Sequence, residues 1–594
     1  MATETETWTP VGAAQALDGF DNFVEATLKD WTVPGSAVVV VKDGEVILSR
    51  GYGLRDVERG LEVTPRTIFA IGSATKAFTT MSLALLADEG KIDWDTPVRQ
   101  YLPSFTLYDT FATERMTPRD LVTHRSGLPR HDLAWYNSPA SRAELVGRLR
   151  YLQPNKDFRT VWQYQNLMYV TAGYLVEVVT GRPWEEFVKE RIFTPLGMGR
   201  GNLSVDDSKR TDDYALPYKD EDGKPVEIPF RNIDTIGPAG SINSSVEDMA
   251  RWLLLHLSNG SLGDKRVVSA GQLAQLHAPQ MVMPEGAGLT TKYKEAPHAS
   301  YGMGWFVQPY RGHDMIHHGG NIDGFSAMVA FLPAEQIGVV ALSNRDGNPV
   351  PMILALDVFD RLLGLDRVPW NARHKEDDAE IKKAAERGKE KSASDRVEGK
   401  GPSHPLADYA GEYEHPGYGV LTVTVQEGDG KEDNSQQGAA LTARYNNIDL
   451  ALAHYHYDVF ELVYDRFDLR LKAVFSTNAR GDIDSLSVPL ELTTPDIVFK
   501  RLPPKGLLDR AALEQLAGGY EIMGATLTVA LKGEETLQVS MPGLPDYELV
   551  PYKGTQFELK GLSGFSLEFK RDASGAASEV VITQPGGVFT AKRR

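Results

Sequence analysis

The last third of the chain carries the same β-rich phrase twice, and this repeat limits the fold more than any other feature. Leu406-Ala407-Asp408-Tyr409-Ala410-Gly411-Glu412-Tyr413 matches Leu513-Glu514-Gln515-Leu516-Ala517-Gly518-Gly519-Tyr520 in pattern. Alternation follows in each copy, as Leu421-Thr422-Val423-Thr424-Val425 and as Leu527-Thr528-Val529-Ala530-Leu531. The copies also end alike, with Pro495-Asp496-Ile497-Val498-Phe499 against Pro585-Gly586-Gly587-Val588-Phe589. Alternation at period two marks a strand with one buried and one wet face. Two units of roughly 90–105 residues whose starts and ends both recur predict two small antiparallel β-barrels, not one β-sandwich.

Upstream of about residue 370 the texture is different. Val38-Val39-Val40-Val41, an Asp43-Gly44 turn and Val46-Ile47-Leu48 read as a β-hairpin. Ser73 to Glu89 reads as a buried helix with Gly90 as its C-cap. Val339 to Ser343 reads as a late central strand. Strands at both ends with helices between them predict one mixed sheet closed by the two ends of the region. Residues 371–402 then turn to Lys, Glu, Asp, Arg and Ala, followed by Ser, Gly and Pro. That composition predicts an exposed linker with a short charged helix. The expected division is a first domain at 1–368, a charged linker at 369–402, and barrels at 403–505 and 506–594.

Composition narrows the chemistry. The absence of cysteine excludes disulfides, thiolate metal sites and a cysteine nucleophile. With 81 acidic and 63 basic residues the net charge is −18, which repels nucleic acid and anionic membranes. The apolar run Met81 to Ala87 falls far short of the roughly 20 residues that span a bilayer. The start, Met1 to Thr7, is acidic and polar and does not read as a secretory signal, so a cytoplasmic location is expected.

Three short motifs carry reactive groups. Ser73 and Lys76 lie three residues apart at the opening of the apolar helix, on one face. A hydroxyl at a helix N-terminus gains from the dipole, and a lysine of lowered pKa can take its proton. By itself the pair reads equally as a helix cap and a surface lysine; the apolar residues after Lys76 favour the buried arrangement. Tyr164 and Asn166 come next, pointing the same way on an extended segment, a phenol able to shuttle a proton and an amide able to hold substrate. The third is His317-His318-Gly319-Gly320-Asn321, where glycines let substrate backbone approach a strand edge and an amide completes an oxyanion hole. His313, Asp314, His317 and His318 also raise a metal reading. No His-Glu-x-x-His occurs and the spacing fits no common zinc pattern, so neither metal nor cofactor is expected.

Taken in order, these motifs resemble the serine β-lactamase and penicillin-binding peptidase superfamily, in particular its class C β-lactamase-like branch. Leu121 to Pro129, Pro195 to Met198, Gly237 to Ser241 and Tyr301 to Trp305 are similar to phrases of that branch. The resemblance implies an α/β (α+β) β-lactamase-like transpeptidase domain, with a central antiparallel sheet flanked by helices, ahead of two lipocalin-like barrels. It implies Ser73 as the acylated nucleophile, Lys76 and Tyr164 as the proton-transfer pair, and Asn166 as a substrate contact. His318 rather than His317 falls in register with the third motif, and the amides of Ser73 and Asn321, next to Gly320, would form the oxyanion hole. The wider family has a lysine there, Lys-Thr-Gly, where this branch often has His-x-Gly; a histidine carries charge only part of the time, which points away from β-lactams and carboxylate-ended peptides. The three-part layout resembles D-aminopeptidases, implying hydrolysis of small amides or peptides. A carboxylesterase or acyltransferase is the alternative within the family. A catalytically degenerate binding protein working through its barrels is the alternative outside it. The expected partner is a small-molecule or short-peptide substrate. Related archaeal peptidases use a similar small barrel to form oligomers, which leaves a homo-oligomer open.

Overall fold

The computed structural model describes residues 13–284, 293–426, 440–464, 469–504, 509–572 and 575–594. The stretch Met1 to Thr7 and the boundary at 505/506 lie outside the described residues. The chain forms two compact units. The first takes the residues up to Arg396 together with Pro416–Tyr418 and Leu490–Pro495; the second takes the rest.

The first unit is built on a nine-stranded sheet. Val38 to Val41 are all fully buried, because a strand covered on both faces reads as an unbroken apolar run. Their strand, Gly35–Lys42, turns through Asp43 (φ 51°) and Gly44 (φ 80°) into Glu45–Asp56, the hairpin that an Asp-Gly pair favours. Its other edge pairs with Ile337–Ser343, so the two ends of the region meet inside the sheet. All the sheet's pairings are antiparallel, as the family resemblance implied, in place of the mixed sheet read from the order of elements. The strands between Phe306 and Ser343 follow one another through short turns, and such turns permit only antiparallel neighbours.

Helices Phe20–Asp30 and Val350–Leu362 cover one face, packing Phe20, Val24, Ile353 and Phe359 against Val38 and Val40. Helix Val246–Leu257 covers the other, with Leu253 and Leu257 seated over Gly338. The charged stretch forms a 25-residue helix, Trp370–Ser394, longer than composition suggested because it is rich in strong helix formers. Its first residue, Trp370, is buried in the same core, and the indole donates to the Tyr310 hydroxyl at 3.1 Å. Among the described residues no helix is long and apolar enough to cross a membrane.

Both copies of the repeat close into eight-stranded antiparallel barrels, from Gly411–His415 to Ile497–Arg501 and from Gly518–Ile522 to Gly587–Arg593. The repeated phrase has a shared cause. Tyr413 and Tyr520 are buried, and their hydroxyls donate to the carbonyls of Tyr409 (2.8 Å) and Leu516 (2.7 Å). Each final strand ends in an arginine that reaches back to the barrel's start. Arg501 donates to the carbonyls of Asp408, Ala410 and Ile483. Arg593 does the same to Gln515, Ala517 and Ala577. Gly411 and Gly518 leave room for this: a Cβ on either would lie 3.2 Å from the guanidinium Nε.

Candidate active site

Ser73 lies in a tight 3-10 turn, Gly72–Ala74, that runs directly into helix Thr75–Asp88. The helix is buried on every side from Thr75 to Leu86, as expected of a helix without a polar face. Lys76 is therefore wholly buried while Ser73 stays half-buried. Lys76 Nζ lies 3.1 Å from Ser73 Oγ and 2.8 Å from the Ala239 carbonyl. That carbonyl belongs to Gly237–Gly240, which presses on helix Asn166–Thr180 at Gly173, where a Cβ would fall 2.1 Å from Pro238. Burial pushes the Lys76 ammonium well below its usual pKa; the Arg130 cation lowers it further, and Asp132 opposes both. A neutral amine here can donate to the Ala239 carbonyl and turn its lone pair to the serine hydroxyl.

Tyr164 sits beside the lysine, its ring centroid 4.8 Å from Lys76 Nζ and 5.0 Å from the Arg130 guanidinium. Burial drives the phenol's pKa upward, with Ser73 acting against the shift. Asn166 is not on the same extended segment, contrary to the sequence expectation. Gln165 is extended (φ −140°) and caps the Leu167 amide, so the helix begins at Asn166. Asn166 Nδ2 donates to Asp132 at 3.1 Å, and Asp132 accepts from Arg130 Nε at 2.6 Å. Arg130 also feels the carboxylate of Glu491, which accepts from the His131 amide at 2.9 Å.

His317 to Asn321 lie within strand His313–Ile322. Strand Phe306–Tyr310 pairs with it only as far as His317, whereas Phe325–Leu332 pairs with it through Ile322. Residues 318–322 therefore have one partner strand among the described residues, and their other edge is open. Gly320 also permits a close approach within the protein. A Cβ on it would fall 1.9 Å from the Ile71 carbonyl oxygen and 3.1 Å from the Ser73 amide. A Cβ on Gly72 would likewise meet the Asn321 amide at 3.0 Å. The glycines let the strand press against the Ser73 turn, bringing the amides of Ser73 and Asn321 into one neighbourhood.

Successive strand residues face opposite ways. His318 turns toward Tyr164, with ring centroids 6.3 Å apart. His317 stacks on Phe306 and lies 3.3 Å from Gln308. His318 Nδ1 meets the Gly319 carbonyl at 2.6 Å and Nε2 meets the Tyr301 hydroxyl at 3.0 Å. Nδ1 is then the protonated nitrogen and Nε2 accepts from the tyrosine. Burial, aided by Lys76, lowers the imidazole pKa to about 3, so His318 is neutral at pH 7. Among the described residues no group of three or more His, Asp or Glu side chains is placed to hold a metal.

Sequence reasoning missed Arg130, Asp132, Tyr301, the Ala239 carbonyl and His124. Its only signal for them was that most lie within or next to the phrases Leu121 to Pro129, Gly237 to Ser241 and Tyr301 to Trp305.

A lysine that has lost its solvent serves a neighbouring hydroxyl best as a neutral amine, and on this fold such a serine and lysine define a serine hydrolase. Residues 20–358, more than half of the sequence, match the β-lactamase family, and the chain belongs to it. Residues 395–501 match a domain of unknown function, DUF3471. Unguisins hydrolase ungD' of Aspergillus campestris is 32% identical over 426 residues, covering 69% of this chain and 78% of its own length. Protein flp of Staphylococcus aureus (strain MRSA252) is 25% identical over 344 residues, 56% of this chain and 64% of that protein. The octameric penicillin-binding protein homologue from Pyrococcus abyssi aligns with a TM-score of 0.53 and 23% identity, covering 82% of this chain and 100% of that one.

Proposed function

We propose that this hydrolase cleaves small amides and short peptides, including those with D-residues, through an acyl-enzyme on Ser73. The observation that carries the reading is Lys76 Nζ, fully buried and 3.1 Å from Ser73 Oγ. As Oγ attacks the carbonyl carbon, its proton passes to the neutral Lys76. The amides of Ser73 and Asn321 receive the charge that develops on the carbonyl oxygen. The proton then moves through Tyr164 to the leaving nitrogen, the C–N bond breaks and the amine departs. Water then attacks the acyl carbon as it gives a proton to the same pair, the bond from that carbon to Ser73 Oγ breaks, the proton returns to Oγ, and the acid leaves. Tyr164, with its raised pKa, acts as a relay and Lys76 as the base.

The charge balance supports a neutral or amine-bearing substrate. A neutral His318, its two ring nitrogens already engaged by Gly319 and Tyr301, brings no positive charge to the site. Arg130 is matched by Asp132 and Glu491.

Intact-mass measurement tests the reading across D-alanine amide, L-alanine amide, p-nitrophenyl esters, a β-lactam and an unguisin, the last because relatives bear that name. The expected result is an acyl adduct on Ser73 with turnover of at least one amide. Ester turnover with every amide untouched would sink the amidase claim and favour an esterase or acyltransferase. Full activity in Ser73→Ala would refute the mechanism.

A further inference from the structure

We propose that His124 is a positioning residue for Tyr164, holding the tyrosine's backbone from both sides and its ring from one face. The proposal rests on the proton-relay role given to Tyr164 above. His124 follows the short helix Pro118–Val122 and has a left-handed backbone, φ 57°. Its carbonyl accepts from the Gln163 amide at 2.8 Å, and its Nδ1 accepts from the Gln165 amide at 3.0 Å. These two amides flank Tyr164. The imidazole also lies against the Tyr164 ring, with centroids 4.3 Å apart and planes at 34°. One residue thus fixes position, direction and ring plane together.

The remaining atoms of the imidazole argue that it is more than packing. Nδ1 takes an amide proton, so the neutral ring carries its own proton on Nε2. Among the described residues Nε2 is buried with no hydrogen-bond partner. Around it stand Tyr301 at 4.6 Å, Tyr169 at 5.2 Å and Trp162 at 5.9 Å, measured between ring centroids. An apolar side chain would fill this space without stranding a polar group. It would also lose the bond to Gln165. Burial and the nearby Lys76 keep the imidazole uncharged, so it adds no charge beside the lysine.

Holding a group in reactive geometry acts on the chemical step and little on binding. The test is a double-mutant cycle on the full chain, read by p-nitrophenyl acetate turnover and by fluorophosphonate labelling of Ser73. His124→Gly keeps the left-handed backbone and removes ring and acceptor. His124→Leu fills the space without an acceptor. His124→Asn tolerates the backbone and puts Oδ1 near the Nδ1 position. The expected result is a kcat loss of about 30-fold or more for Gly and Leu with KM within about threefold, and recovery to within about fivefold of wild type for Asn. In a Tyr164→Phe background the same changes should cost less than about twofold, because the group they position is already gone. Penalties that multiply across the two backgrounds overturn the proposal, as does wild-type kcat in His124→Gly. If the Gly variant does not fold, the Leu pair decides; if neither folds, the role is structural and the proposal falls. A wild-type chain that fluorophosphonate leaves unlabelled refutes the hydrolytic reading itself. Labelling of wild type and His124 variants at equal rates refutes only the positioning role.

Discussion

Adding one methyl group at Gly320 should disable acylation while leaving the unit folded. The new Cβ would sit 1.9 Å from the Ile71 carbonyl oxygen, and real Cβ contacts do not come under 3.0 Å. Strand and nucleophile turn must therefore part by about 1 Å or more, since the obstructing atom is backbone and cannot rotate away. Displacements of about 1 Å at reacting atoms cost on the order of 100-fold in rate, or about 2.7 kcal/mol of barrier. Gly319 supplies the control. A Cβ there meets the flexible end of Met328 at 3.2 Å and the Ala327 carbonyl oxygen at an ordinary contact distance of 3.5 Å, so Gly319→Ala should stay within about threefold of wild type. The assay is the second-order rate of fluorophosphonate labelling at Ser73, with tryptophan fluorescence reporting the fold. All nine tryptophans precede residue 371, so the signal belongs to the first unit. Wild-type labelling by Gly320→Ala, or equal losses in the two variants, would refute the view that Gly320 sets the spacing between strand and nucleophile.

Other perturbations bear on charge and closure. Lys76 must be neutral to act as base, so kcat/KM falls as pH drops through its pKa. Arg130→Gln removes a cation that lowers that pKa and leaves Asp132 to raise it, so the acidic limb of the pH profile should move to higher pH; an unmoved limb contradicts the coupling. His317 has a folded pKa of about 3 against 6.5 when unfolded. Its contribution is full above pH 6.5 and is lost as pH falls toward 3, by about 1.4 kcal/mol per pH unit. Urea titrations at pH 7 and pH 5 should therefore differ less in His317→Asn than in wild type. Arg501→Ala should loosen the first barrel by about 2–3 kcal/mol, seen as faster amide exchange between Gly411 and Arg501, and Lys should not restore it because one ammonium nitrogen cannot stand at both guanidinium positions that reach the three carbonyls.

What the sequence made legible was what short-range patterns encode. Period-two alternation and the Gly-x-Tyr phrase carried the barrels, since both arise within one strand and its turn. Ser73 and Lys76 were readable because a helical spacing and an apolar continuation fix them locally. Other features depend on which segments meet. Nothing around Ala239 says that its carbonyl will receive a lysine 163 residues earlier. Asn166 was misplaced because Gln165, not one of the usual small capping residues, opens its helix. The closeness of Gly320 to the Ile71 carbonyl was not readable because the two lie far apart in sequence. No local pattern marks Arg130 and Asp132, which the fold sets beside Lys76 and Asn166.

The two arginines that bind each barrel's end to its start also set an order of assembly. A ring whose clasp is its final strand cannot shut until that strand has been synthesised, and domains fold in sequence as a chain emerges. Arg501 precedes the whole second copy, so the first barrel can be complete before the second begins. The second must wait for Arg593, next to the last residue of the sequence. Removing Arg593 and Arg594 should thus loosen the closure of the second barrel while the Arg501 clasp of the first stays in place.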